Sequence, residues 1–264
     1  MKYVLVTGAY GGMGKSAVQK FKSAGYFVFA LDKVVGEPED GVIPIEADLT
    51  DIESVKNAYE KVFSVTNSLY AIVHFAGVYV LDSLVEMNEE RFVNAFNVNL
   101  FGAFRVNKTF LPLLKKGSRI IITTSELAPL DPLPFTGVYA LTKSALDKYA
   151  YSLRMEVQLL GVKVVVLRPG AVDTGMISVS TKQLDEFCRG TKIYMCNAKR
   201  FKAVVDRVEA RRISTEKLAR KALKILGKKR PRQVYKINRN PLLLLLNALP
   251  KSWQTAIIKR ILKP

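Results

Sequence analysis

Tyr139 and Lys143 form the pair of side chains in this sequence that could carry proton chemistry. Their spacing of four residues places a phenol and an ammonium on one face of a helix. A free tyrosine has a pKa of about 10, and a fixed positive charge lowers that pKa because it stabilises the phenolate. Such a pair occurs often by chance, so its meaning depends on the residues that accompany it.

A glycine-rich loop separates the first short β-rich run from a helical stretch. Its glycines, Gly8, Gly11, Gly12 and Gly14, permit a tight turn and the close approach of a pyrophosphate. The free N–H groups and the dipole of a helix that begins at this point attract the same anion. The loop therefore predicts a dinucleotide-binding site.

Asp32 stands at the end of the second predicted strand, 18 residues after Gly14. A carboxylate at that position accepts hydrogen bonds from both hydroxyls of an adenosine ribose and repels a 2′-phosphate. The adjacent Lys33 could bind such a phosphate, whereas Gly11 and Gly12 supply no cation within the loop. We predict NAD as the cofactor and treat NADP as the less favoured choice.

Short β-rich runs alternate with amphipathic helical stretches along the chain. This alternation predicts an α/β fold, a Rossmann-like, doubly wound parallel sheet in a single domain. The predicted strands are Tyr3–Thr7, Phe27–Leu31, Val42–Ala47, Ala71–His74, Arg119–Thr123 and Val162–Leu167. The predicted helices are Gly14–Ala24, Ile52–Val65, Asn88–Leu114, Tyr139–Leu160 and Thr215–Leu226. Ligands of such sheets bind beyond the carboxyl ends of the strands, where the glycine loop and Asp32 fall.

The glycine loop, Asp32 and the Tyr139–Lys143 pair, in this order and at these distances, resemble the short-chain dehydrogenase/reductase family. The resemblance runs from about Lys2 to Thr174 and continues more loosely to about Leu226. Further matching segments are Asp48-Leu49, Asn97-Val98-Asn99-Leu100-Phe101-Gly102 and Pro169-Gly170-Ala171-Val172-Asp173-Thr174.

The resemblance implies a set of site residues. The implied catalytic tetrad is Asn99, Ser125, Tyr139 and Lys143. The implied cofactor contacts are Gly8, Gly12, Met13, Gly14, Asp32, Asp48, Leu49, Ala76, Gly77, Tyr139, Lys143, Pro169, Gly170, Val172 and Thr174.

The resemblance also implies a mechanism. Ser125 and Tyr139 hold the oxygen of the substrate, and Tyr139 takes the alcohol proton as hydride leaves for the nicotinamide. Lys143 lowers the pKa of Tyr139 and binds the nicotinamide ribose, while Asn99 fixes a water that links Lys143 to solvent. In the reverse direction Tyr139 is the acid.

Two segments depart from the family pattern. The family's NNAG loop reads His74-Phe75-Ala76-Gly77 here, which keeps the small residues but loses both asparagines. We interpret His74 as a structural residue at the end of a strand. Ser125 aligns with the second serine of the family's SSxxG pattern, but Ala128 replaces the glycine and Thr124 is the alternative hydroxyl.

Composition indicates which metal sites, cellular compartments and membrane segments the chain could have. The 264 residues contain one histidine and two cysteines without metal-ligand spacing, so we predict no metal and a reduced, cytoplasmic protein. We expect no signal peptide, because the chain runs directly into the first strand, and no run approaches the roughly 20 apolar residues of a membrane span. Residues 199–264 carry 20 basic and 3 acidic side chains, a net charge of +17, which leaves +1 for residues 1–198.

This asymmetry predicts a Rossmann-like domain at 1–230, with 175–212 covering the substrate, and a basic, leucine-rich extension at 231–264. The extension contains Leu242 to Leu246 and an amphipathic stretch with Trp253, Ile257, Ile258, Ile261 and Leu262 on one broad side. Three interpretations remain open: peripheral contact with a membrane surface, packing as a lid or oligomer contact, and a solvated tail. We expect no nucleic-acid binding, because few aromatic residues accompany these cations.

The sequence thus favours an NAD-dependent dehydrogenase of a hydrophobic secondary alcohol, with a hydroxysteroid or bile acid as the favoured substrate. The apolar residues of the covering segment support this choice. The alternatives are a retinol or fatty-alcohol dehydrogenase and a dinucleotide-sensing protein without turnover. The expected partners are a lipophilic alcohol or ketone and further copies of the chain in a dimer or tetramer.

Overall fold

A computed structural model describes residues 1–208 and 212–263. Seven parallel strands form the main sheet in the order β3-β2-β1-β4-β5-β6-β9, and β7 pairs with β8 in a separate two-stranded sheet. The strands are β1 (Lys2–Thr7), β2 (Tyr26–Asp32), β3 (Val42–Glu46), β4 (Leu69–His74), β5 (Leu114–Thr123), β6 (Lys163–Pro169), β7 (Val172–Asp173), β8 (Ile213–Ser214) and β9 (Val234–Ile237). The chain therefore has the Rossmann-like, doubly wound α/β fold that its sequence predicts.

Helices cover both faces of the main sheet, which explains why its strands are apolar on both sides. The helices are α1 (Gly12–Ser23), α2 (Ile52–Phe63), α3 (Glu89–Phe96), α4 (Gly102–Phe110), α5 (Gly137–Val157), α6 (Gly175–Gly190), α7 (Met195–Val208), α8 (Thr215–Gly227), α9 (Pro241–Asn247) and α10 (Lys251–Leu262). One core lies between the sheet and α2, α4 and α5. The other lies between the sheet and α1 and α8.

The structure differs from the predicted elements at three places. The predicted helix Asn88–Leu114 is interrupted by a π-helical turn over Asn97–Phe101 and ends in a 3-10 turn over Leu111–Leu113. Residues 175–212 contain no helix among the predicted elements, but α6 and α7 occupy most of the segment. Finally, β9 lies within 231–264, where we expected only the extension, and pairs with β6 as the seventh strand.

The lid, defined here as residues 175–212, has a small core of its own. Leu184, Phe187 and Phe201 are buried in it together with Leu81 from the loop after β4. The ring of Phe135 lies 4.6 Å from that of Phe187 and 5.4 Å from that of Phe201, measured between ring centroids. The lid therefore both packs on itself and, through Phe201, faces the space beneath it.

The tail, defined here as residues 238–263, is attached to the body by polar contacts. Asp131 accepts a hydrogen bond from Asn247 at 2.8 Å and forms an ion pair with Lys251. Asn197 of α7 donates to the carbonyl of Leu262 at 2.7 Å. The tail is thus held at the carboxyl edge of the sheet, beside the lid.

The apolar side predicted for α10 is divided between two environments. Ile258 and Leu262 pack against the lid core. Trp253, Ile257 and Ile261, at spacings of four, are exposed to solvent instead. Among the described residues, no helix is both long enough and apolar enough to cross a membrane.

Candidate active site

The glycine loop forms one end of a groove of about 470 Å³ that runs along the carboxyl edge of β1, β2 and β3. Gly8 has a φ of +66°, and a Cβ there would stand 2.5 Å from the backbone nitrogen of Ala76. A Cβ on Gly14 would stand 1.9 Å from the carbonyl oxygen of Gly8. Only glycine fits these two positions, so the sequence dictates the tight turn into α1.

Asp32, at the end of β2, also lines this groove. Its carboxylate accepts hydrogen bonds from the backbone N–H of Tyr10 at 2.9 Å and of Lys33 at 2.8 Å. The ammonium of Lys33 lies 2.7 Å from the carboxylate of Asp48, and this pairing lowers the pKa of Asp48 despite the opposing effect of burial. Asp48 also accepts from the backbone and hydroxyl of Thr50. The cation that could have bound a ribose phosphate is therefore held by a second carboxylate.

A second, larger cavity of about 580 Å³ continues from the groove toward the lid and the tail. Met13, Gly77 and Thr174 line both spaces, so the two are adjacent. A Cβ on Gly12 would approach the Cβ of Thr174 to 2.9 Å, which shows how closely the loop after β6 covers the glycine loop. Other predicted cofactor contacts line one space or the other: Leu49, Ala76, Pro169, Gly170 and Val172.

Tyr139 and Lys143 lie on α5 and both line the larger cavity, as the helical spacing predicts. The Lys143 ammonium stands 5.8 Å from the centre of the Tyr139 ring and 3.5 Å from the carbonyl oxygen of Thr123. Ser125 hydrogen-bonds to the Tyr139 phenol. Three of the four residues that the resemblance assigns to catalysis thus line this cavity together.

The pKa of Tyr139 differs from the sequence expectation. Burial raises it to about 12, and the Ser125 hydrogen bond opposes this only in part. Burial also lowers the pKa of Lys143 to about 8, so near neutral pH a fraction of the lysine is uncharged. The Tyr139 pKa is thus raised and not lowered as expected, because burial of the phenol is the largest effect on it and the charge of Glu126 acts in the same direction.

Asn99 lies within the π-helical turn and is buried. Its side-chain nitrogen donates to the Val78 carbonyl and the Thr142 hydroxyl, both at 2.9 Å, and its oxygen accepts from the Val78 N–H at 2.7 Å. A Cβ on Gly77 would lie 3.1 Å from the Asn99 oxygen and 3.2 Å from the Lys143 nitrogen. The turn therefore directs Asn99 toward Lys143, and Gly77 leaves room for both.

Thr124 and His74 point to other partners. Thr124 donates to the Asp147 carboxylate at 3.3 Å, which also binds Arg168 at 2.6 Å, so Ser125 is the better placed hydroxyl. His74 is buried at the end of β4, and its Nε2 lies 2.9 Å from the oxygen of Asn107. Burial lowers its pKa to about 4, which keeps the imidazole neutral in the structural position that we interpreted from the sequence.

Several residues that line the larger cavity escaped the sequence analysis. Glu126 follows Ser125 and accepts a hydrogen bond from the backbone N–H of Asn240 at 2.7 Å. Tyr79 places its ring 4.7 Å from that of Tyr139. The first turn of the tail contributes Arg239 and Leu242. The Asn240-Pro241 pair, a helix cap followed by proline, could have located α9 but not its place above the site.

The groove and the larger cavity together fit a nicotinamide dinucleotide. The glycine positions leave space that a Cβ would fill, at the N-terminus of α1, where a pyrophosphate binds best. Asp32 would face the adenosine ribose, and Gly77, Pro169 and Thr174 would surround the nicotinamide end beside Tyr139 and Lys143.

Comparisons with known proteins agree with this geometry. A family model described as "short chain dehydrogenase" matches residues 2–185. The 3-ketodihydrosphingosine reductase of Bacteroides thetaiotaomicron is 27% identical over 251 residues, which are 95% of this chain and 92% of that protein. Estradiol 17-beta-dehydrogenase 2 of Mus musculus is 35% identical over 189 residues, 66% of this chain, and the match spans about half, 49%, of that relative.

Solved structures show the same fold. A short chain dehydrogenase from Burkholderia cenocepacia, determined in complex with NADP, matches with a TM-score of 0.75 at 21% identity over the full length of both chains.

Proposed function

Because the chain belongs to the short-chain dehydrogenase family, we propose that it is an NAD-dependent oxidoreductase that interconverts a hydrophobic secondary alcohol and its ketone. One observation carries the proposal: Ser125, Tyr139 and Lys143 line a largely apolar cavity that joins the dinucleotide groove. The presence of all three groups, with Asn99 beside them, argues against a sensor that has lost turnover.

A bound nicotinamide would supply the acceptor or donor of hydride at the boundary between the two spaces. The hydroxyls of Ser125 and Tyr139 would hold the substrate oxygen. Tyr139 would receive the proton of an alcohol, or donate one to the oxygen of a ketone. Lys143 and Asn99 lie behind the phenol and would exchange that proton with solvent.

Asp32 and the Lys33–Asp48 ion pair support NAD as the cofactor. The Asp32 carboxylate would accept from the ribose hydroxyls, and a 2′-phosphate would meet its negative charge. Lys33, the cation adjacent in sequence, is neutralised by Asp48 at 2.7 Å. We therefore retain the preference for NAD over NADP.

The walls of the larger cavity support a lipophilic substrate. Leu133, Phe201 and Leu243 line it, and the matched relatives are named for estradiol and for 3-ketodihydrosphingosine. A hydroxysteroid or bile acid, favoured from the sequence, is one candidate. A long-chain alcohol or ketone is the second, and the carboxylate of Glu126 favours it over a bile acid because like charges repel.

Exposed apolar side chains support two kinds of contact. Phe104, Leu141 and Met155 on α4 and α5 would join copies of the chain in a homo-oligomer. On the tail, Leu242, Leu245 and Trp253 are each more than 60% exposed, within a segment of strong positive charge. We propose that the tail contacts an anionic membrane surface peripherally, since exposed tryptophan and leucine beside basic residues suit that interface.

The test is an assay of the purified protein against a panel of hydroxysteroids, bile acids and long-chain secondary alcohols, with NAD⁺ and NADP⁺ in parallel. The expected result is reduced cofactor with at least one lipophilic alcohol, and with NAD⁺ in preference to NADP⁺. Cofactor binding without turnover of any alcohol or ketone would contradict the proposal and favour a sensor.

A further inference from the structure

Glu126 places a carboxylate in the wall of the larger cavity, which is largely apolar. It follows Ser125 directly, so its backbone lies about 3.8 Å along the chain from a residue that would hold the substrate oxygen. Its own N–H donates to the Pro169 carbonyl at 2.8 Å, which fixes the position of the backbone. Around it the cavity is lined by Leu127, Leu133 and Leu243.

The two oxygens of this carboxylate are used differently. Oε2 accepts from the Asn240 N–H at 2.7 Å. Oε1 lies against Gly170, where a Cβ would come within 2.7 Å of it, and makes no hydrogen bond within the described residues 1–208 and 212–263. A carboxylate oxygen at the wall of a cavity can accept a hydrogen bond from a bound ligand.

Arg239 influences Glu126 by its charge, and no hydrogen bond joins the two side chains in the described part of the chain. The positive charge of Arg239 lowers the pKa of Glu126, but burial has the larger effect and the pKa remains raised. Arg239 is exposed at the rim of the cavity and acts on the carboxylate through its charge. The negative charge of Glu126 also reaches inward, because it contributes to the raised pKa of Tyr139.

Given the proposed reaction, on which the inference rests, we infer that Glu126 binds a cationic amine of the substrate, close to the carbon that is oxidised or reduced. The substrate class is then a long-chain amino alcohol and its amino ketone. Ser125 and Tyr139 hold the oxygen, Oε1 of Glu126 accepts from the ammonium, and the alkyl chain lies along Leu133 and Leu243 toward the tail. Glu126 is a specificity-determining residue in this arrangement.

The experiment uses the full-length protein, NAD⁺ and three long-chain secondary alcohols that differ on the carbon next to the carbinol. That carbon carries an amine in one, a hydroxyl in the second and only hydrogen in the third. The expected kcat/KM of the wild type is at least about tenfold higher for the amine than for the other two. Turnover of none contradicts the proposed function itself, whereas equal turnover of all three contradicts only the role of Glu126.

Two variants and a control locate the preference. Glu126→Gln should reduce the ratio of kcat/KM between the amine and its hydrogen analogue toward one, and Glu126→Asp should retain part of it. Glu86→Gln removes a carboxylate that also accepts backbone hydrogen bonds, from Lys192 and Ile193 at the lid but outside the cavity, and should leave the ratio as in the wild type. A Glu126→Gln protein that loses activity equally on all three alcohols would show that Glu126 only holds Asn240, and would overturn the inference.

The pH dependence separates charge recognition from structure. As the pH falls through the raised pKa of Glu126, the wild-type KM for the amine should rise, while Glu126→Gln should show no such rise. The groups whose charges act on or respond to the carboxylate are Arg239 and Tyr139, and the Tyr139 pKa of about 12 keeps the phenol protonated throughout this acidic range. A KM profile that is the same in both proteins would overturn the inference.

Discussion

The dinucleotide groove and the lid with its tail are built on different principles. In the groove, the positions of Gly8, Gly14 and Gly77 leave no room for a Cβ, and Asp32 and Asp48 bind the backbone and Lys33. The tail instead exposes Leu245 and Trp253, and its charged residues, Arg239, Lys251, Lys259, Arg260 and Lys263, are all basic. The backbone of the groove therefore tolerates few substitutions, whereas the apolar and basic side chains of the tail are exposed and can contact another surface.

This difference separates the chemistry from the choice of substrate. Ser125 stands in the loop that follows β5, and Tyr139 and Lys143 stand on α5, which packs directly on the sheet. Leu242 and Leu243, which face the same cavity, come from a tail held by a few polar contacts. A substitution at the catalytic residues or in the groove should therefore change the turnover rate or the cofactor preference. A substitution in the tail should change which substrates bind in the cavity.

The sharpest test of this division is Tyr139→Phe, which removes only the hydroxyl. General acid–base groups contribute about 100- to 10,000-fold to rate, so kcat should fall by that factor while NAD binding, measured by fluorescence titration, persists. Tyr151→Phe, on an exposed position of the same helix, should keep wild-type kcat. More than a few per cent residual kcat in Tyr139→Phe would mean that another group moves the proton.

Asp32→Ser tests the groove at its other end. Opposite a 2′-phosphate the carboxylate should cost on the order of 1–4 kcal/mol, which is roughly a tenfold to thousandfold preference for NAD. The variant should lose this preference, as measured by the ratio of kcat/KM with NAD⁺ and NADP⁺. Asp40→Ser, at an exposed carboxylate away from the groove, is the control. A ratio that does not move would show that Asp32 does not discriminate.

His74→Asn tests the packing beneath the groove through pH. The histidine pKa is about 4 in the folded chain and about 6.5 when exposed, so the unfolded chain binds more protons between these values. Stability is therefore complete above pH 6.5 and decreases as the pH falls to 4, by about 3 kcal/mol at most. Denaturant unfolding of the variant should show a flatter profile in this window, since asparagine can still donate to Asn107 without titrating. Identical profiles would exclude His74 as the cause.

The smallest expected effect concerns the tail. Replacing both Trp253 and Ile257 with serine should weaken sedimentation with anionic vesicles by about tenfold, which corresponds to about 1.4 kcal/mol. This is less than the roughly 1.5–3 kcal/mol for complete burial of one such side chain, because a peripheral contact buries only part of each. Turnover of a short, soluble secondary alcohol should be unchanged. Leu159→Ser, at an exposed leucine that precedes β6 on the opposite edge of the sheet, is the matched control. Equal vesicle binding by wild type and double variant would leave the tail as a solvated segment.

The sequence predicts the groove far better than the tail, for a physical reason. Gly8, Asp32 and the Tyr139–Lys143 pair each belong to a local element: a turn after a strand, the end of a strand, and one face of a helix. Their positions in the sequence are therefore enough to predict where their side chains lie. The contact between Glu126 and Asn240 joins residues 114 positions apart, and no local pattern indicates it. The raised pKa of Tyr139 likewise depends on burial by distant segments. The sequence also does not show which apolar residues of α10 pack and which face solvent, because that depends on contact with the lid, which is distant in sequence.

The pairing of Val172–Asp173 with Ile213–Ser214 brings the two ends of the lid together. A segment whose ends are clamped side by side can change length at little cost, because doubling a loop adds only about 0.6 kcal/mol of closure entropy. The lid is therefore an exchangeable module. Because Phe201 lines the larger cavity, exchanging the segment between β7 and β8 would change a wall of that cavity while the two strands keep their pairing.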